Sequence, residues 1–205
     1  MTIKVLGLST SPRENSNSDL LLRQALAGAQ SAGASVEYIK LSDLNIAPCR
    51  ECNWCYTTGA CRIQDDYRML SGKLLNTDRL IFATPIFFMN VCAQAKALID
   101  RSQCHWANKY ILKKQLITGG QDRRAMVIAV GGSKSTKMFD CIRLTMKFYL
   151  DTLEMRYVAN LFINKINEAG QIQKHPLALK EAFRLGKELI TAPAPPEKPI
   201  DIELT

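Results

Sequence analysis

Ile3-Lys-Val-Leu-Gly-Leu8 leads without a break into Ser9-Thr-Ser-Pro-Arg-Glu-Asn-Ser-Asn-Ser18, and Asp19 opens a helical pattern behind it. The first six residues form a short apolar run of the kind that makes a buried strand. The next ten are hydroxyls and amides around a proline, a polar turn. Beyond it, Leu22, Ala25, Leu26 and Ala29 share one face of a helix. Ser16, with Asp19 three residues on, resembles a capping box at the helix start. Strand, polar turn and helix in that order present free amides and the positive end of the helix dipole, which together favour an anion. The turn has neither the G-x-G-x-x-G of dinucleotide folds nor the G-x4-G-K-[ST] of a P-loop. It offers Ser9, Ser11, Ser16, Asn17 and Ser18 as neutral donors with Arg13 nearby. Such a set suits a monophosphate held without a metal, and it equally suits an ordinary capped turn.

The same alternation continues outward. Ser35–Lys40 reads as a second strand, Asp78–Ala83 as a third, Ala125–Val130 as a fourth and Arg156–Ile163 as a fifth. Helical patterns begin at Asp65-Asp66, at Val91, at Met138 and at Pro176. Strands alternating with helices predict an α/β fold, a doubly wound parallel sheet with right-handed crossovers. Five strands fit the flavodoxin-like order 2-1-3-4-5, with a cysteine loop after the second strand. In that order the ligand crevice lies at the carboxyl ends of the strands, at the switch point. Three loops are expected there: 9–18, 84–91 and 131–133. The second, Thr84, Pro85, Ile86, Phe87, Phe88, Met89, Asn90 and Val91, is apolar and aromatic, suited to packing on a flat ring. The third, with Gly131 and Gly132, lets backbone approach a ligand closely. A phosphate cradle, an aromatic wall and a glycine floor together describe a flavin mononucleotide site.

Between the second strand and Asp65 lies Cys49-Arg-Glu-Cys52-Asn-Trp-Cys55-Tyr-Thr-Thr-Gly-Ala-Cys61. Short gaps let successive sulfurs turn inward on one loop, and the first three spacings match a ferredoxin-type run. The primary reading is a [4Fe-4S] cluster on Cys49, Cys52, Cys55 and Cys61. Zinc and unligated or paired thiols stand as alternatives. Asp65 and Asp66 read as charge compensation at a helix start rather than as an acid/base pair. Cys92 and Cys141 read as buried small apolar groups, and Cys104-His105 as packing or substrate lining. The long 101–124 connection is expected to carry a lid or a subunit interface.

A chain of 205 residues can bury a full core without metal or disulfide staples. One domain is expected over residues 1–190, including the cysteine loop 48–62, followed by a Pro-rich tail over 191–205 that is extended and mobile or draped over a neighbour. The formal charge of +8 is scattered, with no run of five and no basic helix interleaved with aromatics, which excludes a nucleic-acid partner from the expectation. No stretch approaches a membrane span and no signal peptide is evident, so a cytoplasmic location is expected. Seven cysteines, an odd number, favour ligands and free thiols over a disulfide framework.

Three segments resemble the NADPH-dependent FMN reductase superfamily of flavodoxin-like proteins, and within it the iron–sulfur flavoproteins. They are Gly7-x-Ser-x-Ser-Pro-Arg-x-Asn-Ser-Asn-Ser18, the cysteine loop with Asp65-Asp66, and Thr84-Pro-Ile-Phe-Phe-x-Asn-Val-x-Ala-Gln-x-Lys-Ala-Leu-Ile-Asp-Arg101. The resemblance spans about residues 3–190. It implies that Ser9, Ser11, Arg13, Ser16, Asn17 and Ser18 bind the FMN phosphate, with FMN preferred to FAD. It implies that Thr84–Val91 lines the isoalloxazine and that the four cysteines hold a [4Fe-4S] cluster near it. Met89 stands where relatives often carry Gly or Ser, and Phe87 replaces a frequent tyrosine. The implied activity is a flavin-dependent oxidoreductase that takes electrons in pairs from NAD(P)H, or from a protein donor, and passes them singly through the cluster. The acceptor would be a small molecule or a protein, and the assembly a homodimer or homotetramer. The alternatives are an NAD(P)H-dependent FMN or quinone reductase without a cluster, and a flavodoxin-like electron carrier.

Overall fold

Parallel pairing organises the chain. A computed structural model describes residues 2–117 and 121–205, and among them seven strands form one sheet. The strands are β1 (Lys4–Ser9), β2 (Ser35–Lys40), β3 (Arg79–Phe87), β4 (Asn90–Val91), β5 (Arg124–Val130), β6 (Arg156–Ile163) and β7 (Ile200–Leu204). Their order is β2-β1-β3-β5-β6-β7, with β4 paired to β3 alone. Every pairing is parallel except β3–β4. β5 is buried along its whole length, as a central parallel strand with both faces covered must be.

The helices are α1 (Asn17–Ser31), α2 (Cys55–Thr58), α3 (Tyr67–Leu75), α4 (Ala93–Arg101), α5 (Gln103–Trp106), α6 (Met138–Thr152) and α7 (Ala178–Thr191). Two cores result. On one face Leu21, Leu22 and Ala25 of α1 and Ala182, Leu185 and Leu189 of α7 cover Val5, Ile81, Ile128 and Leu161. On the other, Leu70 and Leu74 of α3, Leu98 of α4 and Ile142 and Met146 of α6 cover Leu8, Phe82, Val127 and Phe162.

The sheet departs from the expected five strands in two places. The third strand does not stop at Ala83. It runs to Phe87, turns over Phe88 and Met89 and returns as β4, so residues 84–91 are a β-hairpin and not an irregular loop. The tail also does not hang free: Ile200–Leu204 pairs with Ala159–Ile163 as a parallel edge strand. Its alternating Ile200, Ile202 and Leu204 carry the period of a half-covered strand, while Arg143 of α6 reaches Asp201 at 3.3 Å and also pairs with Glu203.

Part of the positive charge is structural. Arg79, Arg123 and Arg124 are buried at the amino edge of the sheet. Arg79 Nε donates to the Leu189 carbonyl at 3.0 Å, Arg123 to those of Leu74 and Leu153, and Arg124 to that of Ala192 at 2.7 Å. These carbonyls end α7, α3 and α6, where cations satisfy orphan acceptors and the negative end of the dipole.

Candidate functional site

Strand register brings the expected loops to one edge. Ser9 pairs with Ala83 and with Lys40, and Pro85 pairs with Val130. The carboxyl ends of β2, β1, β3 and β5 therefore open side by side. Residues 9–18, the 84–91 hairpin, 131–133 and the chain entering the cysteine loop all leave from that edge.

Ser9, Ser11, Ser16, Asn17 and Ser18 are all buried in the turn. Ser16 is the N-cap of α1, and its hydroxyl accepts from the Asp19 N–H at 3.2 Å. The hydroxyls of Ser9 and Ser18 are buried with no hydrogen-bond partner. A buried, unpaired hydroxyl costs about 1–3 kcal/mol, so two of them at a helix N-terminus mark a place where a ligand's acceptors belong. Asn17 is differently employed: its amide donates to the Glu168 carbonyl at 2.8 Å and accepts from the Ile172 N–H at 3.0 Å. Arg13 is exposed and donates to the Asn167 carbonyl at 2.9 Å. The loop after β6, residues 164–172, thus closes over the turn, a wall that the sequence pattern did not announce. Behind α1, burial pushes the Asp19 carboxyl up, but hydrogen bonds from Tyr38, at 2.7 Å, and Arg23, at 2.8 Å, outweigh it and hold Asp19 below the usual carboxylate range.

The hairpin and the glycines stand across from the turn. Phe88 and Met89 occupy left-handed backbone, φ 47° and 65°, as a two-residue hairpin turn requires. Non-glycine residues in that region store about 1–3 kcal/mol each, and such strain concentrates at ligand clamps. The Phe88 side chain is fully exposed. At the other end of the hairpin, Cys92 is buried and its thiol donates to Thr10, at 3.0 Å to the carbonyl, while Thr10 N–H bonds the Ala83 carbonyl at 2.9 Å. Neither Thr10 nor Cys92 carried a signal in the sequence beyond small size, yet together they pin the turn to the hairpin. A Cβ at Gly132 would lie 1.7 Å from Oδ1 of the exposed Asn167 side chain, which would have to swing aside. Gly131 abuts Met138 and Ile86 in the same way.

The cysteine loop is built on another plan. Cys49 and Cys52 are exposed, and Cys55 and Cys61 half-buried. All four line one cavity of about 320 Å³, together with Cys104. Among the described residues, no three His, Cys, Asp or Glu side chains close into a group that would hold a metal as they stand. Burial, then the neighbouring Cys104, Cys61 and Cys49 thiols, push the Cys55 thiol up to about 11. A bound cation offsets repulsion of this kind among thiolates.

Both feet of the loop are clamped by one buried ion pair. Arg101, at the end of α4, meets Asp65 at 2.6 and 2.9 Å, with side chains 0% and 5% exposed. Arg101 also donates to the Ala47 carbonyl at 2.9 Å and the Ile63 carbonyl at 3.3 Å, and the Ala47 N–H donates to Asp65 at 2.9 Å. Burial pushes Asp65 up, but the guanidinium and the amide hold its carboxyl low. Asp65 does serve the start of α3, accepting from the Tyr67 N–H at 3.1 Å, but its larger role is in this clamp. Of the isolated thiols, Cys92 is buried as expected, whereas Cys141 is exposed on α6, a correction. Cys104 and His105 are both buried; Cys104 Sγ lies 3.3 Å from the Tyr67 hydroxyl, and His105 Nε2 lies 3.0 Å from Ser71 Oγ. In the connection expected to act as a lid or interface, residues 107–111 form a π-helical turn, and 118–120 lie outside the described residues.

Comparison with known proteins places the chain in a family. The profile of the family described as NADPH-dependent FMN reductase matches residues 3–167. An iron–sulfur flavoprotein of Methanocaldococcus jannaschii is 35% identical over 150 residues, 72% of each chain. An iron–sulfur flavoprotein of Methanosarcina thermophila is 31% identical over 133 residues, 65% of each chain, so this chain spans slightly under two thirds of that relative. Among solved structures, an NAD(P)H:quinone oxidoreductase from Methanothermobacter marburgensis superposes with a TM-score of 0.71 at 18% identity, covering 92% of this chain and 98% of that one. A flavodoxin from the domain Archaea superposes at 0.57 and 10% identity, covering 93% and 98%. At such identities the structures show the fold, which is flavodoxin-like.

Proposed function

This chain belongs to the NADPH-dependent FMN reductase family, and we propose that it couples FMN to a [4Fe-4S] cluster, drawing electrons from NAD(P)H and delivering them to an acceptor. It is a flavin-dependent oxidoreductase. When bound, the flavin exchanges electrons in pairs with a nicotinamide and the cluster exchanges them one at a time. The protein's part is to hold and orient them.

The phosphate falls to Ser9, Ser11, Ser16, Ser18 and the first amides of α1, with Arg13 able to swing from Asn167. Asn17 contributes its backbone only, its side chain being committed to the 164–172 loop. Thr84 through Val91 and the Gly131-Gly132 backbone line the ring. Cys49, Cys52, Cys55 and Cys61 are the cluster ligands, and the single observation that carries this assignment is that all four line one cavity. The names of the relatives support it as well. The unit that does this is residues 1–190, with the tail 191–205 appended to its edge. Apolar Phe87, Phe88 and Met89 at the hairpin tip, and Leu144 and Phe148 on adjoining α6, are exposed and suit a second copy of the chain in a homo-oligomer.

Anaerobic purification with iron, acid-labile sulfide and flavin analysis tests the reading. About four irons and four sulfides per chain are expected; zinc, or no metal after strictly anaerobic handling, overturns it. The exposure of Cys49 and Cys52 favours, as second reading, an FMN or quinone reductase whose cysteine loop carries no cluster.

A further inference from the structure

A second cavity, of about 610 Å³, lies on the far side of the cysteine loop, and neither the flavin loops nor the four thiols account for it. It shares Cys61, Arg62, Ile63 and Cys104 with the thiol-lined cavity, so those residues form a common wall. Its size lies in the range of small-molecule sites.

Its lining is selective in charge and shape. The charged residues among the described lining are Arg62 and Arg68, with neither Asp nor Glu beside them. The Arg62 guanidinium sits 5.3 Å from the centroid of the Trp54 ring, and Arg68 is held by Gln64 at 3.3 Å. Trp54 supplies a half-exposed flat apolar face, while Tyr67 lines the wall from a buried position with Arg101 over its ring. At the floor His105 is buried against Ser71 and kept neutral, its imidazole pushed down to about 4 by burial and by Arg123. The far wall is the π-helical turn 107–111, whose Asn108 donates to the Gly59 and Cys104 carbonyls at 2.5 and 2.9 Å. Insertions of π-helix concentrate at functional sites because they displace a side chain out of the ordinary helical stack. Here the displaced turn braces the cysteine loop and leaves the cavity open.

We propose that this cavity is a second small-molecule site that binds a planar aromatic anion, stacked by Trp54 and paired by Arg62 and Arg68. Two guanidiniums without a carboxylate select negative charge, and the Trp54 face selects a flat ring. An occupant would touch the Cys61 wall, where an electron acceptor of a cluster-bearing loop belongs. That acceptor role rests on the proposed function; the binding does not.

Isothermal titration calorimetry of anthraquinone-2-sulfonate into the anaerobically purified protein, carrying the cofactors it is isolated with, tests the proposal. The expected result is one site per chain, weakened at least tenfold in an Arg62→Gln/Arg68→Gln variant. Neutral 2-(hydroxymethyl)anthraquinone should bind the wild type and the variant equally and more weakly than the sulfonate binds the wild type. Trp54→Leu should weaken both ligands. Both arginines and Trp54 are exposed, and circular dichroism with flavin content verifies folding of each variant. Absence of binding to the wild type, or a sulfonate affinity unchanged in the double variant, overturns the site. Iron and sulfide content measured on the same samples reports on the cluster separately, so either reading can fail alone.

Discussion

The phosphate turn and the cysteine loop leave the same edge of the same sheet and are built in opposite ways. Residues 9–18 are held from all sides: by the cap of α1, by Thr10 on Ala83 and Cys92, and by Asn17 on the 164–172 loop. Their backbone is finished, and what is left open is a pair of buried hydroxyls. Residues 48–62 are held at the feet, where Arg101 and Asp65 grip Ala47 and Ile63, with Asn108 bracing Gly59. Between those points Glu51 and Asn53 take left-handed backbone and two of the four thiols face solvent. A ligand arriving at the turn meets a prepared surface. At the loop, a ligand would itself complete the packing, as metal binding that is coupled to folding does.

The largest effect should come from the clamp. Asp65→Asn leaves the Arg101 guanidinium buried without its counter-charge, and loss of one partner of a buried pair costs about 3–5 kcal/mol. Urea denaturation should show it, with a far smaller shift for Lys96→Gln, which breaks an exposed pair. Equal shifts would dissolve the distinction between gripped feet and free arch. Acid comes next. His105 is neutral in the fold at about 4 against an ordinary 6.5, so the unfolded chain binds the proton first. Its stabilising contribution is complete above about pH 6.5 and is lost as pH falls towards 4, a decline of about 3 kcal/mol that His105→Gln should flatten. Hydrogen exchange at pH 5 should locate the loosening near residues 59–71 and 104–108 and not in the phosphate turn.

Smaller effects bear on the two loops directly. Ser18→Ala should leave the flavin-free protein as stable or slightly more stable, since it removes an unsatisfied hydroxyl. The same change should weaken FMN about tenfold, or about 1.4 kcal/mol, by fluorescence titration. A drop in stability with FMN affinity intact would mean that the hydroxyl serves the fold. Cys52→Ser should shift the metal-free protein by less than about 0.5 kcal/mol, as exposed substitutions do, while abolishing cluster incorporation on anaerobic reconstitution.

What could be read in advance followed from how locally each feature is encoded. Apolar runs of period two and 3.6 marked the central strands and most helices, and Ser16 marked the start of α1, because strand, cap and helix signals lie within a few residues. Ile200–Leu204 was missed because a five-residue strand behind Pro193, Pro195, Pro196 and Pro199 reads as tail; only its pairing with β6, about forty residues away in sequence, makes it a strand. The hairpin at 84–91 was hidden because Phe88 and Met89 are poor residues for left-handed backbone. Asp65 read only as charge compensation at a helix start, because its partner Arg101 lies thirty-six positions away until folding joins them. The cysteine spacing announced a shared site but could not announce Cys104, which reaches the same cavity from another helix.

Helix α4 begins at the residue after Cys92, whose thiol holds the phosphate turn, and ends at Arg101, which grips the cysteine loop. Nine residues at 1.5 Å each make it a spacer of about 13 Å, with no glycine or proline along it to bend. The distance between the two loops is therefore set like a ruled length, and its angular phase is set too. One residue inserted into α4 would turn Arg101 by about 100° and carry the guanidinium off both carbonyls. Change in this short helix is thus restricted to substitution, for neither lengthening nor shortening it preserves both ends at once.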